Sequence, residues 1–284
     1  MNANNQLDRR SFLGCFAGAA ASIALAGCGS GSGASSSSSS SSGSSTAAAS
    51  GDSYTLIQEG KLIVASDIAN PPFDYMENNE AVGFEVDLLN EIASYMGLTC
   101  EYLPQMKFET LIPLIKAGGK ADVGVSNFTI TDERKEEVDF TDPYIDSNQG
   151  IVVKSGSDKT TIEALNVEGV QVTCQTATTG EAWARENLSR ATIVPLDDPV
   201  TSVTGVSTGL YDACAADLPV MQYLCNNSFK DCEVAVEIPT GEQYGIAVSK
   251  DNPGLTKKMN EAIAHIKENG IFDKLEIKWF GTTI

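Results

Sequence analysis

Apolar residues recur with two different periods along the chain from Tyr54 onward. The run 61–65 is short, apolar and rich in branched side chains, which predicts a buried strand. Between Glu85 and Met96 the apolar residues recur at helical spacing, which predicts a helix with Gly97 as its C-terminal cap. The two patterns alternate along the rest of the chain, so we expect strands and helices to alternate as well.

The predicted elements form two successive α/β units with no low-complexity segment between them. In the first unit we predict strands at 61–65, 98–103 and 121–125 and helices at 85–96 and 108–116. In the second we predict strands at 150–153, 170–174, 193–196, 213–216 and 244–248, helices at 161–165, 180–188, 200–208 and 219–225, and two final helices at 255–268 and 271–279. This order is typical of parallel sheets with helices on their faces.

The first 53 residues differ from the rest in composition. Residues 1–27 contain Arg9 and Arg10 followed by an apolar, small-residue stretch, which predicts a signal peptide of either the Tat or the Sec type. Residues 28–53 are nearly all Ser, Gly, Ala and Thr. This segment has little apolar surface to bury, so it is expected to act as a flexible tether.

The sequence Leu-Ala-Gly-Cys at residues 25–28 resembles the bacterial lipobox. The resemblance implies cleavage before Cys28 and lipidation of that residue. The protein is therefore predicted to be extracytoplasmic and anchored to the cell membrane through Cys28.

Charge and cysteine usage narrow the classes of partner and site. The formal net charge of −19 argues against nucleic acids and anionic membrane surfaces as partners. Beyond Cys15 and Cys28, the cysteines include no pair at metal-binding spacing, and the chain has one histidine, so we predict neither a metal site nor a cofactor. Cys225 and Cys232 either form a disulfide across a short loop or, like the other three, are small buried side chains.

Polar side chains follow the predicted strands, where open α/β sheets bind ligands. These residues are Asp67, Asn70, Ser126, Asn127, Thr129, Gln175, Thr178, Thr179 and Asp217. A free amino acid carries a carboxylate and an ammonium group, and each needs a charged or hydrogen-bonding partner once water is removed. Arg134, just beyond Thr129, can hold the carboxylate with two parallel hydrogen bonds, and Asp217 can accept the ammonium. Thr178 and Thr179 precede a predicted helix, whose free N–H groups favour an anion.

Several motifs, in one order along the chain, resemble a known family. They are residues 83–88 (Gly-Phe-Glu-Val-Asp-Leu), 126–134, 140–144 (Phe-Thr-Asp-Pro-Tyr), 211–217, 243–247 (Gln-Tyr-Gly-Ile-Ala) and 278–281 (Lys-Trp-Phe-Gly). Over residues 61–281 the chain resembles the family 3 solute-binding proteins, the polar amino-acid receptors of ABC importers.

The resemblance implies an α/β fold of the two-lobed periplasmic-binding-protein type II class, with two hinge crossover strands. The first lobe is then expected at 54–146 and 244–284, and the second at 147–243. The resemblance also implies a monomer that closes on a free amino acid and delivers it to ABC permease subunits in the membrane.

The resemblance implies a role for each residue that would contact the headgroup of the ligand. Arg134 would hold the α-carboxylate, helped by Thr129 and the backbone around Thr178. Asp217 would hold the α-ammonium, helped by Ser126.

The resemblance further implies a pocket for the ligand side chain, lined by Phe108 and Asn127, with its polarity set by Asp67 and Gln175. Two positions depart from the family pattern, because Asn70 replaces a frequent aromatic residue and Ala177 replaces the usual glycine. A negative charge on Asp67 would repel an acidic ligand. A polar neutral ligand such as glutamine is therefore expected first, and a cationic one such as arginine second.

Two other functions occur on this fold. Some relatives act as dehydratases or lytic transglycosylases, and a binding protein of this type can also act as a sensor domain for a membrane receptor. Catalysis needs a poised acid or base in the cleft. The chain has no HEXXH motif, P-loop or nucleophile elbow, and no histidine lies at a predicted strand end. Asp67 and Asp217 remain as possible acids. We therefore predict a binding protein of an importer and not an enzyme. The alternatives are a ligand-binding sensor domain and a catalytic relative on the same fold, such as a dehydratase.

Overall fold

The computed structural model describes residues 53–283, in which two five-stranded sheets organise the chain. The first sheet has the order β5-β1-β6-β13-β7 and consists of β1 (Lys61–Ala65), β5 (Thr99–Tyr102), β6 (Val123–Gly124), β7 (Asp139–Phe140) and β13 (Ala247–Val248). Strand β1 is parallel to β5 and β6, and β13 is antiparallel to β6 and β7. A separate three-stranded sheet, which the sequence pattern did not predict, contains β2 (Ala69–Asn70), β3 (Asp74–Glu77) and β4 (Glu80–Val82).

Helix α1 (Phe84–Met96) anchors the first lobe through one apolar face. Phe84, Leu88 and Ile92 are fully buried and recur at helical spacing. The helix ends at Gly97, whose φ of 71° forms the predicted left-handed cap. The other helices of this lobe are α2 (Phe108–Ala117), α3 (Asp132–Glu137), α8 (Pro253–Glu268) and α9 (Ile271–Phe280).

The second sheet has the order β10-β9-β11-β8-β12. Its strands are β8 (Ile145–Lys154), β9 (Gln171–Gln175), β10 (Thr192–Leu196), β11 (Ala213–Asp217) and β12 (Cys232–Tyr244). Strand β9 is parallel to β10 and β11, whereas β8 is antiparallel to β11 and β12. The helices of this lobe are α4 (Ile162–Leu165), α5 (Thr179–Asn187), α6 (Pro199–Ser207) and α7 (Leu218–Asn227).

The chain crosses between the two sheets twice, from β7 to β8 and from β12 to β13. Near the crossings β8 and β12 pair with each other, with Tyr244 opposite Ile145 and Glu242 opposite Ser147. The prediction of a single strand over 244–248 was wrong, because Tyr244 ends β12 in one sheet while Ala247 begins β13 in the other. Long β12 was missed before Tyr244, although apolar residues alternate along its first half.

The described residues contain five free cysteines, of which Cys100 is half-buried and the other four are buried. Cys225 and Cys232 therefore form no disulfide in this structure, and burial raises the pKa of each thiol to about 11. Within residues 53–283 no group of side chains could hold a metal ion, and no helix is long and apolar enough to cross a membrane. The predicted signal peptide and Cys28 lie outside the described residues.

Candidate functional site

The cleft between the lobes contains a cavity of about 20 Å³, lined by both polar and apolar side chains, with room for about one water molecule. It is lined by Asn70, Phe108, Asn127, Thr129, Arg134, Gln175, Thr178, Thr179, Pro199, Ala216, Asp217 and Val220. The structure thus brings together all the predicted site residues except Asp67 and Ser126, which contact the lining residues from beneath. Because the walls meet each other, a ligand must replace contacts between the lobes with its own.

Arg134 is held at one end of the cavity by both lobes. Its Nη1 donates to the Thr129 carbonyl at 2.8 Å, and its Nη2 donates to the Ala177 carbonyl of the second lobe at 3.2 Å. The guanidinium also lies 5.4 and 5.7 Å from the ring centroids of Phe108 and Phe128. Burial lowers the pKa of Arg134 from its usual value, yet arginine remains protonated in proteins. A fixed positive charge therefore lies at this end.

The start of α5 lies beside Arg134. Thr178 caps the helix, because its Oγ1 accepts the Glu181 N–H at 3.1 Å. The preceding Ala177 has a φ of 62°, a left-handed conformation that favours glycine. Ala177 therefore adopts, under strain, the backbone conformation that suits the family's usual glycine. The N-terminus of α5, which favours negative charge, lies at the cavity as a result.

Asp217 lies across the cavity, at the end of β11. Its Oδ2 accepts hydrogen bonds from Asn127 Nδ2 and from the Tyr244 hydroxyl, both at 2.6 Å, and its Oδ1 accepts one from Gln149 Nε2 at 2.7 Å. Although Asp217 precedes α7, its side chain makes no capping hydrogen bond to that helix. Burial raises the pKa of Asp217. The Asp217 carboxylate thus makes its hydrogen bonds within the cleft and does not cap α7.

Three residues of this region were missed by the sequence reasoning. Gln149 lies on β8, and Glu242 and Tyr244 lie on β12, so all three belong to the paired crossover strands. Glu242 Oε2 accepts hydrogen bonds from Thr129 Oγ1 at 2.9 Å, from Gln149 Nε2 at 2.9 Å and from Thr179 Oγ1 at 3.1 Å. Of the three, only Tyr244 lies within a predicted strand (244–248) and within the family motif at 243–247. We call the region of Arg134, Asp217 and Glu242 the charged end.

The opposite end presents neutral amides, which a buried carboxylate holds in place. Asp67 Oδ1 accepts from Asn70 Nδ2 at 2.7 Å and from Ser126 Oγ at 2.5 Å, and its Oδ2 accepts from Gln175 Nε2 of the second lobe at 2.7 Å. Burial raises the pKa of Asp67. We call the region of Asn70, Gln175 and Asp67 the amide end. Ser126 lies under it, bonded to Asp67, and does not line the cavity beside Asp217.

Two further buried acids support the loop that carries Asn127. The Glu85 carboxylate accepts the Asn127 N–H at 2.8 and 3.0 Å and also the hydroxyl of Tyr144. Asn127 has a φ of 37°, so this bonding holds it in an unusual conformation. Burial raises the pKa of Glu85 to about 7. Burial, and after it the charge of Asp67, raises the pKa of Asp74 well above its usual value.

Comparison with known sequences identifies related proteins. A model of the bacterial extracellular solute-binding proteins, family 3, matches residues 62–282. L-cystine-binding protein TcyJ of Escherichia coli (strain K12) is 28% identical over 228 residues, covering 80% of this chain and 85% of TcyJ. ABC transporter glutamine-binding protein GlnH of Bacillus subtilis (strain 168) is 31% identical over 205 residues, 71% of this chain and 74% of GlnH. ABC transporter arginine-binding protein 1 of Escherichia coli (strain K12) is 31% identical over 217 residues, 74% and 86% of the two chains.

Solved structures resemble most of the described fold. A mutant of ArgBP from T. maritima has a TM-score of 0.73 and 35% identity, covering 78% of this chain and 96% of ArgBP. An ancestral arginine-binding protein bound to glutamine has the same TM-score and identity, covering 79% and 99%. AncCDT-1, described as an ancestral amino acid-binding protein and a precursor of cyclohexadienyl dehydratase, has a TM-score of 0.72 and 34% identity, covering 78% and 96%. The two-lobed α/β fold class is confirmed, and the named relatives are binding proteins rather than enzymes, as predicted.

Proposed function

Since the chain belongs to the bacterial extracellular solute-binding proteins, family 3, we propose that its cleft binds one free amino acid for an ABC importer. The observation that carries this proposal is the pairing of opposite charges across the charged end. Arg134 comes from the first lobe and Asp217 from the second, and both line one cavity. A free α-amino acid carries one carboxylate and one ammonium group, so its two charges can match both residues.

The headgroup would exchange places with contacts that now join the lobes. Its carboxylate would take the two N–H donors that Arg134 gives to the carbonyls of Thr129 and Ala177. Its ammonium would bind Asp217, whose present donors include the amides of Asn127 and Gln149. A ligand that touches both lobes only in the closed form shifts the open–closed equilibrium by its difference in affinity for the two forms.

The amide end would contact the ligand side chain. Asn70 and Gln175 offer hydrogen-bonding groups, Phe108 offers an aromatic face, and the charge of Asp67 behind them disfavours an acidic group. These features support a polar neutral ligand such as glutamine first and a cationic one such as arginine second. The relatives named for glutamine and arginine agree with this choice.

We further propose that the protein is a monomer, is exported by a Tat or Sec signal and is anchored outside the cytoplasm by a lipid on Cys28. The lipobox-like residues 25–28 and the following Ser/Gly-rich segment support this. In a Cys28→Ser variant the protein should move from the membrane fraction to the soluble fraction. If the variant stays in the membrane fraction to the same extent as the wild type, the proposed lipid anchor is wrong.

A thermal-shift screen of the purified protein against the common L-amino acids and L-cystine tests the function, with calorimetry of each hit. A ligand at 100 times its Kd stabilises the folded state by about 2.7 kcal/mol. We expect a rise in melting temperature with glutamine, arginine or a small set that includes one of them, and no chemical conversion of the ligand. A cooperative melt that no amino acid shifts would contradict the proposal.

A further inference from the structure

Glu242 makes a set of contacts that a bound amino acid would also need. Its Oε2 accepts the hydroxyl groups of Thr129 and Thr179, at 2.9 and 3.1 Å. We propose that this carboxylate occupies the place of a ligand carboxylate among the hydroxyl donors, so that Glu242 both latches the cleft shut without ligand and competes with ligand for it. The inference rests on the proposed function and adds to it a residue that tunes affinity.

Proton counting makes the two uses exclusive. A threonine hydroxyl has one proton, so it can donate to only one acceptor at a time. While Thr129 and Thr179 donate to Glu242, neither has a proton for a ligand carboxylate held by the neighbouring Arg134. The third donor to Glu242, Gln149 Nε2, also donates to Asp217 at 2.7 Å, so the same network extends to the ammonium side.

The contacts of Glu242 join both lobes through a crossover strand. Thr129 belongs to the first lobe and Thr179 begins α5 of the second. Glu242 lies near the end of β12 in the second sheet, just before the chain crosses to the first. Separation of the lobes would break at least one of the two threonine contacts. Glu242 therefore favours the closed form of the ligand-free protein. A ligand must displace these contacts to bind, so its net binding free energy is reduced by the free energy that the contacts contribute.

The charges around Glu242 also oppose the binding of a ligand carboxylate. Glu242 is close enough to Asp217 that its negative charge, after burial, raises the pKa of that carboxyl. A ligand carboxylate at the threonine hydroxyls would be a further negative group beside Glu242, and like charges at such distances repel. Arg134 offsets part of this repulsion, since its positive charge is attracted by both Asp217 and Glu242.

The test compares Glu242→Gln with the wild type by calorimetric titration of L-glutamine and of L-arginine. The substitution keeps the shape of the side chain and an acceptor oxygen but removes the charge. The neutral amide oxygen accepts the hydroxyl groups of Thr129 and Thr179 less strongly than the carboxylate does, so a ligand carboxylate competes better for their protons. We expect the Kd of the bound probe to fall roughly tenfold, the effect of one charge-assisted hydrogen bond gained. Glu237→Gln makes the same change of charge on an exposed part of β12 and should leave the Kd unchanged.

A second measurement reports the latch without any ligand. Small-angle X-ray scattering of the ligand-free proteins should give a larger radius of gyration for Glu242→Gln than for the wild type and Glu237→Gln. If Glu242 is instead only a support for the closed, ligand-binding form, its loss should weaken binding, and an equal or higher Kd would overturn the inference. If no variant binds any amino acid, the proposed function fails, and the scattering comparison alone still decides whether Glu242 holds the cleft closed.

Discussion

The charged end and the amide end of the cleft are assembled from different kinds of group. At the charged end, opposite charges on Arg134 and Asp217 face one cavity from the two lobes. At the amide end, neutral side chains of Asn70 and Gln175 line the cavity, and the charge of Asp67 lies behind them. In the proposed binding mode, the charges would contact the headgroup that all amino acids share, and the amides would contact the side chain, in which amino acids differ. We expect the first end to control affinity and the second to control selectivity.

Loss of Arg134 should have the largest effect on ligand affinity. Arg134→Ala removes two charge-assisted hydrogen bonds to the ligand carboxylate and should weaken binding by about 3 kcal/mol, roughly 100-fold, for every ligand. Arg134→Lys keeps the charge without the planar fork and should recover part of the loss. Calorimetry measures both. The control is Arg185→Ala, an exposed arginine paired with Glu181, and its Kd should stay at the wild-type value.

Asp217→Asn should weaken ligand binding without lowering the stability of the fold. The variant loses the charge that holds the ammonium, so we expect binding to weaken by about 2 kcal/mol. The melting temperature should hold or rise, because a buried charge is removed and the partnerless buried oxygens of Asn127 and Gln149 can accept the new amide if their side chains turn. A variant that binds like the wild type would refute the role of Asp217.

The buried carboxyl group of Glu85, which accepts the backbone N–H of Asn127, should make stability depend on pH. Glu85 has a folded pKa raised to about 7, so between its unfolded pKa and pH 7 the folded protein binds more protons than the unfolded one. The contribution of Glu85 to the free energy of unfolding therefore falls as pH rises through this window. Glu85→Gln should reduce the loss of unfolding free energy between pH 5.5 and pH 8 by about 1–2 kcal/mol. Denaturant titrations at the two pH values measure this, and an unchanged pH dependence would count against it.

Asp67→Asn should change selectivity at the amide end and leave the charged end intact. Removal of the negative charge should raise the Kd of arginine roughly tenfold relative to that of glutamine. The ratio of the two Kd values is the readout, because general damage to the cleft would raise both together. An unchanged ratio would mean that Asp67 only positions Asn70 and Gln175.

The smallest effect should come from the ion pair at the rim of the amide end. Lys107 Nζ lies 2.8 Å from Asp197 Oδ1 across the two lobes, but both side chains are exposed. Exposed pairs contribute little because water and salt screen them. Lys107→Ala should change the Kd by less than about twofold. A tenfold change would show that closure depends on the rim as much as on the buried residues.

Much of the fold was predictable because its signals are local. The buried face of α1, the left-handed cap at Gly97 and the branched residues of β1 all appear in short windows of sequence. The two crossings between sheets were implied only by the family resemblance. Where β12 ends and β13 begins was predicted wrongly, because the break at Gly245 depends on packing against Ile130 and Phe140, which lie far away in sequence.

The site was predictable as a set of positions but not as a network. Strand ends and the family motifs identified nine of the twelve residues that line the cavity, including Arg134 and Asp217, but not Pro199, Ala216 or Val220. The sequence could not show that Asp67 lies behind Asn70 and Gln175, since this requires a side-chain contact between lobes. Glu242 gave no chemical signal of its own, because its importance comes from the pairing of the two crossover strands.

Arg134 is proposed to bind the α-carboxylate of a free amino acid. Calorimetric titration of the purified protein with L-glutamine, L-arginine and the α-carboxamide of each tests it most directly. The carboxamides keep the ammonium and the side chain but lose the negative charge. We predict that at least one of the two amino acids binds and that its carboxamide binds roughly 100-fold more weakly. Binding of neither amino acid, or equal binding of an amino acid and its carboxamide, would contradict the account.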